Sequence, residues 1–223
     1  MSISTQLIVF DWDGTLMDSE ARIVNCMRAA IEELALAPRT RQQMAEIIGL
    51  GLVEALAILY PEGSPTEHAA LTERFRYHFV EASPTPSALF PGVEEMLAEL
   101  NEQGHFLAVA TGKGRCGLDH ILKETNTGRY FHVTRCADES FSKPHPQMLL
   151  EIMNHLGVDT RDTLMIGDTE YDLRMANSAG VQSLAVSYGV HDLTRLLHCR
   201  PLDYVDDIPA LRNWLQTKYT RAA

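Results

Sequence analysis

The stretch Ile3-Ser4-Thr5-Gln6-Leu7-Ile8-Val9-Phe10-Asp11-Trp12-Asp13-Gly14-Thr15-Leu16 decides the fold of this chain. Ile3–Phe10 holds a short, continuous apolar run that ends abruptly at Asp11. That is the pattern of a buried parallel strand that delivers a polar cluster at its C-terminal end. The same pattern recurs downstream: Phe106–Ala110 runs into Thr111-Gly112-Lys113, Thr163–Ile166 into Gly167-Asp168, and Gln182–Val186 into Ser187-Tyr188-Gly189. Between these runs lie helical stretches. Gly92–Gln103 carries Val93, Met96, Leu97 and Leu100 on one face, and Pro146–Leu156 carries Leu149, Leu150 and Met153. Strands alternating with helices of this length predict an α/β fold with a doubly wound parallel sheet, whose ligands sit beyond the carboxyl ends of the strands.

From Asp18 to Pro84 the alternation stops. This stretch is helical in period, with Ile23, Met27, Ala30, Ile31 and Leu34 on one face and Leu71, Phe75 and Phe79 on another. It reads as an inserted helical subdomain, residues 18–86, between core segments 1–17 and 87–223. The return linker Ser83-Pro84-Thr85-Pro86-Ser87 has the composition of a boundary.

Four clusters carry chemistry. Asp11 and Asp13 place two carboxylates two residues apart at a strand end. Burying them together calls for a cation, and oxygen ligands suit Mg²⁺. In an extended chain such residues point the same way, so one carboxylate can attack while the other handles protons. Trp12, between them, should turn into packing. A solvated turn with side-chain-to-backbone hydrogen bonds is the plainer alternative for this cluster. Thr111-Gly112-Lys113 offers a hydroxyl, an accessible N–H and an ammonium to phosphate oxygens, although glycine is common in strand-to-helix loops. Lys143-Pro144 sets a cation beside a residue of fixed φ; alone it says little, and a surface lysine or the neighbouring His145 in an ordinary loop fits as well. In Gly167-Asp168-Thr169-Glu170-Tyr171-Asp172, Asp168 and Asp172 stand ready to converge on one metal, while Thr169 and Asp172 also have the spacing of a helix capping box.

The 223 residues include 19 Lys and Arg against 30 Asp and Glu, a net charge of −11. Such a balance argues against nucleic-acid and anionic-membrane partners, which clustered cations would grip. At 45% hydrophobic residues an ordinary core is within reach. Met1–Gln6 has no basic leader and the following apolar run is too short to span a bilayer, so a cytoplasmic location is expected. Cys26, Cys116, Cys136 and Cys199 are scattered without metal-ligand spacing and read as reduced thiols.

Taken in order, the four clusters resemble the motifs of the haloacid-dehalogenase superfamily of phosphohydrolases with a helical cap inserted after the first motif, a group that includes phosphoglycolate phosphatases and β-phosphoglucomutases. The resemblance spans residues from about 5 to 210 and implies a Rossmann-like core. It implies that Asp11 is the nucleophile, forming an aspartyl-phosphate, and that Asp13 protonates the leaving alcohol and then activates water. Mg²⁺ would be held by the Asp11 carboxylate, the Asp13 backbone carbonyl, Asp168 and Asp172, the last directly or through water. Thr111 and Gly112, with Lys113 beside them, would bind the phosphoryl group, and Lys143 would neutralise charge. The carboxylate at Asp13 tells against a dehalogenase, and the absence of lysine between Asp18 and Pro84 against Schiff-base phosphonatase chemistry. The expected activity is hydrolysis of a small phosphorylated metabolite by a phosphoric monoester hydrolase acting as monomer or homodimer. The alternatives are a phosphomutase and a non-catalytic phosphate-binding module. Related caps place a substrate-contacting loop where Ile48-Gly49-Leu50-Gly51-Leu52 lies. That loop has no basic residue, Arg39 and Arg41 being the nearest, which favours a hydrolase. A plain helix–helix turn is the other reading of it. Arg22 and Arg115 are candidates for a substrate carboxylate or phosphate, against the simpler reading of each as a solvated helix residue.

Overall fold

The computed structural model describes residues 6–218. In chain order these form β1 (Leu7–Phe10), β2 (Met17–Asp18), α1 (Glu20–Glu33), α2 (Arg41–Glu46), α3 (Leu52–Leu59), α4 (Pro65–Tyr77), β3 (Ala88–Leu89), α5 (Val93–Glu102), β4 (Phe106–Thr111), α6 (Arg115–Glu124), β5 (Val133–Cys136), α7 (Gln147–Leu156), β6 (Thr163–Gly167), α8 (Glu170–Ala179), β7 (Gln182–Val186), α9 (Leu193–His198), β8 (Tyr204–Val205) and α10 (Ile208–Lys218). Six strands make one parallel sheet in the order β5-β4-β1-β6-β7-β8. The fold is α/β and Rossmann-like. The part of the first expected strand before Gln6 lies outside the described residues.

The central strand explains why its sequence is apolar throughout. Ile8 and Phe10 face one layer, packed with α5, α6 and α10, while Leu7 and Val9 face the other, packed with α7 and α8. A strand buried on both sides has no face to leave polar. Two strands of this sheet lack the apolar pattern for the converse reason. β5 lies at the sheet edge with Thr134 and Arg135 half-buried, and β8 is two residues long. One helix face also needs correction. Leu150 is exposed, and the buried side of α7 is Met148, Leu149, Ile152 and Met153, a stripe at helical spacing from which Leu150 turns away.

Between β2 and β3, which pair antiparallel at Met17↔Leu89 and Asp18↔Ala88, the chain makes α1–α4. Capping boxes open α2 (Thr40 and Gln43) and α4 (Ser64 and Glu67, with Pro65 in the first turn). Met27, Ala30, Ile31, Leu56 and Leu71 bury together, with Ile23, Leu34 and Phe75 at the margin. Phe79 departs from this face. After α4 the helix widens to a π-turn over His78–Ala82, which breaks the register that Leu71 and Phe75 set. Among the described residues no helix is long and apolar enough to cross a membrane.

Candidate active site

The carboxyl ends of β4, β1 and β6 lie side by side, so Thr111, Asp11 and Asp168 arrive at one edge of the sheet. Asp11 extends the ladder by one bond, its N–H donating to the Ile166 carbonyl at 2.9 Å. Its carboxylate is 1% exposed and meets the Lys143 Nζ at 2.6 Å. Lys143 comes from the loop after β5 and is equally buried. It also lies 2.6 Å from Asp172 on α8. The loop cation of weak local pattern is thus the charge partner of two buried carboxylates.

Asp168 is held from both sides, its carboxylate accepting the Thr15 hydroxyl at 2.8 Å and the Val190 N–H at 2.8 Å. Gly14, at φ +82°, makes this approach possible, because a Cβ there would run into the Asp168 carboxylate. Asp172 forms the capping box that its spacing allowed, and it also pairs with Lys143. One oxygen accepts the Thr169 N–H (3.1 Å) and hydroxyl (2.7 Å) in a capping box, while the other faces Lys143.

Asp13 does not share Asp11's partners. β1 ends at Phe10 and the chain folds back, with the Leu16 and Met17 N–H groups both donating to the Trp12 carbonyl, so strand alternation no longer governs Asp13. Its carboxylate accepts the Ser19 hydroxyl at 2.6 Å and pairs with the Lys113 Nζ at 2.9 Å. Lys113, expected beside a phosphoryl group, is therefore engaged by Asp13, and its Nζ also sits 4.6 Å from the centre of the Phe79 ring. Thr111 is buried and accepts the Lys113 N–H at 3.1 Å. Trp12 packs in the core, edge-on to Phe131.

The 48–52 loop lies directly on this edge. The Gly51 N–H donates to the Ser142 hydroxyl at 2.7 Å, and the carbonyls of Gly49 and Leu50 press so close to Gly112 that only glycine fits there. Tyr171 on α8 donates to the Glu46 carbonyl at 3.0 Å, and Arg195 on α9 bridges Glu46 and Glu170. The nearby cations are occupied elsewhere: Arg39 by the Leu59 carbonyl and Tyr60 ring, Arg41 by Glu20, and Arg115 by Asp119, Glu139 and Thr134. His145 is exposed and stacks on Phe141. The four cysteines are free thiols. Ser19 and Ser142 are site residues that no sequence pattern singled out, because nothing local ties Ser19 to Asp13 or Ser142 to the distant Gly51, and Phe79, read as part of a helix face, is brought here by the π-turn.

Asp11, Asp168 and Asp172 each bring one oxygen within 4.8 Å of the others, all buried. Three carboxylates against one ammonium leave two uncompensated negative charges, the complement of a divalent cation. Burial, then the charges of Asp172 and Asp168, hold the Asp11 carboxyl well above its usual range despite Lys143. Burial alone would lower the Lys143 ammonium, but Asp11 and Asp172 outweigh it and raise its pKa. Asp168 is pushed up to about 7, first by burial and then by Asp172.

The Asp168 shift gives the site a pH signature when no cation is bound. Its pKa is higher in the folded protein than the 3.8 of an unperturbed aspartate, so its contribution to stability is complete below that value and is lost as pH rises through about 7. In EDTA, the melting temperature is expected to fall between roughly pH 4 and pH 7, and Mg²⁺ to raise it most at the upper end, where the ligands are ionised. Differential scanning fluorimetry checks this; a Mg²⁺-induced shift of equal size at both ends contradicts it.

Residues 8–186 match the sequence profile of the family described as haloacid dehalogenase-like hydrolase. A protein named "Probable phosphatase IndB" from Dickeya dadantii (strain 3937) is 36% identical over 206 residues, covering 90% of this chain and 89% of its own. A phosphoglycolate phosphatase from Agrobacterium fabrum is 31% identical over 210 residues, covering 92% and 90%. Among solved structures, a hydrolase from Pseudomonas syringae superposes with a TM-score of 0.87 at 22% identity, over 97% of this chain and 99% of its own, a likeness of fold.

Proposed function

The chain belongs to the haloacid dehalogenase-like hydrolases and is a phosphatase of that family, a phosphoric monoester hydrolase; from this premise we propose that it cleaves a small phosphate monoester of the phosphoglycolate type through an aspartyl-phosphate on Asp11. One observation carries the reading: Asp11 stands buried at a strand end, 2.6 Å from an ammonium, among carboxylates whose uncompensated charge asks for a divalent cation.

In the proposed sequence an Asp11 oxygen attacks phosphorus and the bond to the alcohol oxygen breaks. Asp13, held by Ser19 and Lys113, gives that oxygen its proton. Asp13 then takes a proton from water as the water oxygen attacks the acyl phosphate, returning Asp11 and releasing inorganic phosphate. The Thr111 hydroxyl and Gly112 N–H orient the phosphoryl oxygens, and Lys143 offsets their charge against Asp11. Asp11, the Asp13 carbonyl, Asp168 and Asp172 would hold Mg²⁺, which when bound supplies further charge neutralisation at the phosphoryl group.

We further propose that residues 18–86 act as a cap on a core of 1–17 and 87–223, joined at the short β2–β3 pair, with the 48–52 loop excluding water from the site when closed. The engagement of Arg39 and Arg41 away from that loop supports hydrolysis over phosphoryl transfer to a second hydroxyl. A cytoplasmic location is part of the same proposal.

The test is phosphate release from 2-phosphoglycolate and from p-nitrophenyl phosphate, with Mg²⁺ and with EDTA. Metal-dependent free phosphate is expected. Release unaffected by EDTA would remove the metal from the mechanism, and phosphate retained on an organic product would convert the assignment to a mutase.

A further inference from the structure

Both arginines that the sequence offers for a substrate anion are engaged within the fold, Arg115 by Asp119, Glu139 and Thr134, and Arg22 by the Phe79 carbonyl at 2.6 Å. A third, Arg195, ties the inserted helices to the sheet domain. It stands in the first turn of α9, where the Asp192 side chain accepts its N–H at 3.1 Å. The next residue, Leu196, is buried with Leu173, Ala185 and Cys199, so the backbone under Arg195 is anchored in the core. From there its guanidinium divides between Glu170 of α8, at 2.7 Å, and Glu46 of α2.

Glu46 is badly placed for its own helix. It is the last residue of α2, where the free carbonyls of the helix repel negative charge, so a favourable partner has to come from outside. Arg195 is that partner. The bridge also has an apolar half. Tyr171, from the first turn of α8, is buried in the cluster that fills the inserted helices, together with Met44, Ile47, Ile48 and Leu50, and its hydroxyl donates to the Glu46 carbonyl at 3.0 Å. Gly49, at φ +98°, passes so near that an added Cβ would lie 3.1 Å from the Thr169 hydroxyl oxygen and 3.5 Å from the Tyr171 ring. Residues 46–51 are thus pinned at one end by Arg195 and Tyr171 and at the other by Ser142, which accepts the Gly51 N–H. Between the pins lie the Gly49 and Leu50 carbonyls that press on Gly112. Ser142 adjoins Lys143 and Tyr171 adjoins Asp172, so the charged pin is the one that can be removed without disturbing a neighbour of the reacting groups.

We infer that Arg195 is a positioning residue: by clasping Glu46 to Glu170 it holds the 48–52 loop over the site and sets the fraction of the enzyme that stands closed. Its kinetic consequence rests on the phosphatase reading. Where only a fraction of molecules is closed, apparent substrate affinity falls by that fraction while the chemical step in the closed complex is unchanged. Arg195→Met removes the whole bridge, and Glu46→Gln removes its α2 end while leaving Arg195 on Glu170. Each is expected to raise KM for p-nitrophenyl phosphate in Mg²⁺ by about 3- to 10-fold, the worth of a half-buried ion pair, with kcat little changed. The double variant should lose no more than either single one, and Arg195→Lys should recover part of the loss. Hydrogen exchange followed by mass spectrometry, on the metal-free protein, gives a readout that needs no turnover. Amides of residues 46–52 should exchange faster in both variants, while β1 and β4 keep the parent rates. Unchanged exchange at 46–52 overturns the inference. So does a Glu46→Gln variant with the parent KM, or faster exchange in β1 and β4 as well, either of which makes Arg195 a brace of the core through Glu170. A loss carried by kcat alone, or losses that multiply in the double variant, also overturn it. No phosphate release by the parent from p-nitrophenyl phosphate or 2-phosphoglycolate defeats the phosphatase reading instead, and the exchange rates then decide the clasp by themselves.

Discussion

Asp11→Asn is expected to lower kcat by about four orders of magnitude or more, as removal of a covalent nucleophile does, while the protein stays folded. The amide keeps the shape of the carboxylate but cannot form an acyl phosphate. Its effect on stability follows from charge. In the metal-free protein Asp11, Asp168 and Asp172 face one ammonium, and the Asp11 carboxyl is already held well above its usual range by burial. Neutralising it relieves repulsion and leaves Lys143 paired with Asp172 at 2.6 Å. Unfolding free energy in EDTA is therefore expected to hold within about 1 kcal/mol, while the stabilisation by Mg²⁺ shrinks. Steady-state phosphate release and urea unfolding with and without Mg²⁺ measure the two effects. A kcat within tenfold of the parent would remove Asp11 as the attacking group.

Much of this arrangement is legible along the chain because the central strands are buried on both faces. Leu7–Phe10 and the inner stretches 107–110, 164–166 and 184–186 are apolar throughout, and each leads to a polar residue at the carboxyl end of its strand or just beyond it. Asp11, Thr111 and Asp168 are therefore each readable as lying at the carboxyl end of a buried strand, while their adjacency follows from the β4-β1-β6 order of the sheet. What the pattern cannot carry is partnership across the fold. Nothing local says that Lys143 rather than Lys113 reaches Asp11, or that Lys113 turns to Asp13 instead. Edge strand β5 tolerates Thr134 and Arg135 because one side of it is open, so it lacks the apolar signal of its neighbours. Phe79 is legible as an aromatic at helical spacing from Phe75, but one π-turn sends it to Lys113 and Arg22.

Lys143→Met should be the most destabilising single change at the site. The side chain is fully buried, with its Nζ 2.6 Å from both Asp11 and Asp172. Methionine fills similar space, so the loss is one of charge. Without the ammonium, three buried carboxylates have no cation of the protein's own, and removing one partner of such a set costs about 3–5 kcal/mol. Urea unfolding in EDTA near neutral pH should report a loss of that order. The charge argument makes two further demands. Acid should recover stability, because protonation removes the repulsion that Lys143 offset, and Mg²⁺ should recover part of it near neutral pH by taking over the role of the missing cation. Adding Asp172→Asn to Lys143→Met should then restore more stability than Asp172→Asn contributes in the parent, where it strips Lys143 of a partner; the double-mutant cycle isolates that coupling. If the loss from Lys143→Met were the same in acid as at neutral pH, and the cycle additive, Lys143 would be filling volume rather than balancing charge. Its proposed part in holding a phosphate beside Asp11 would fall with that result.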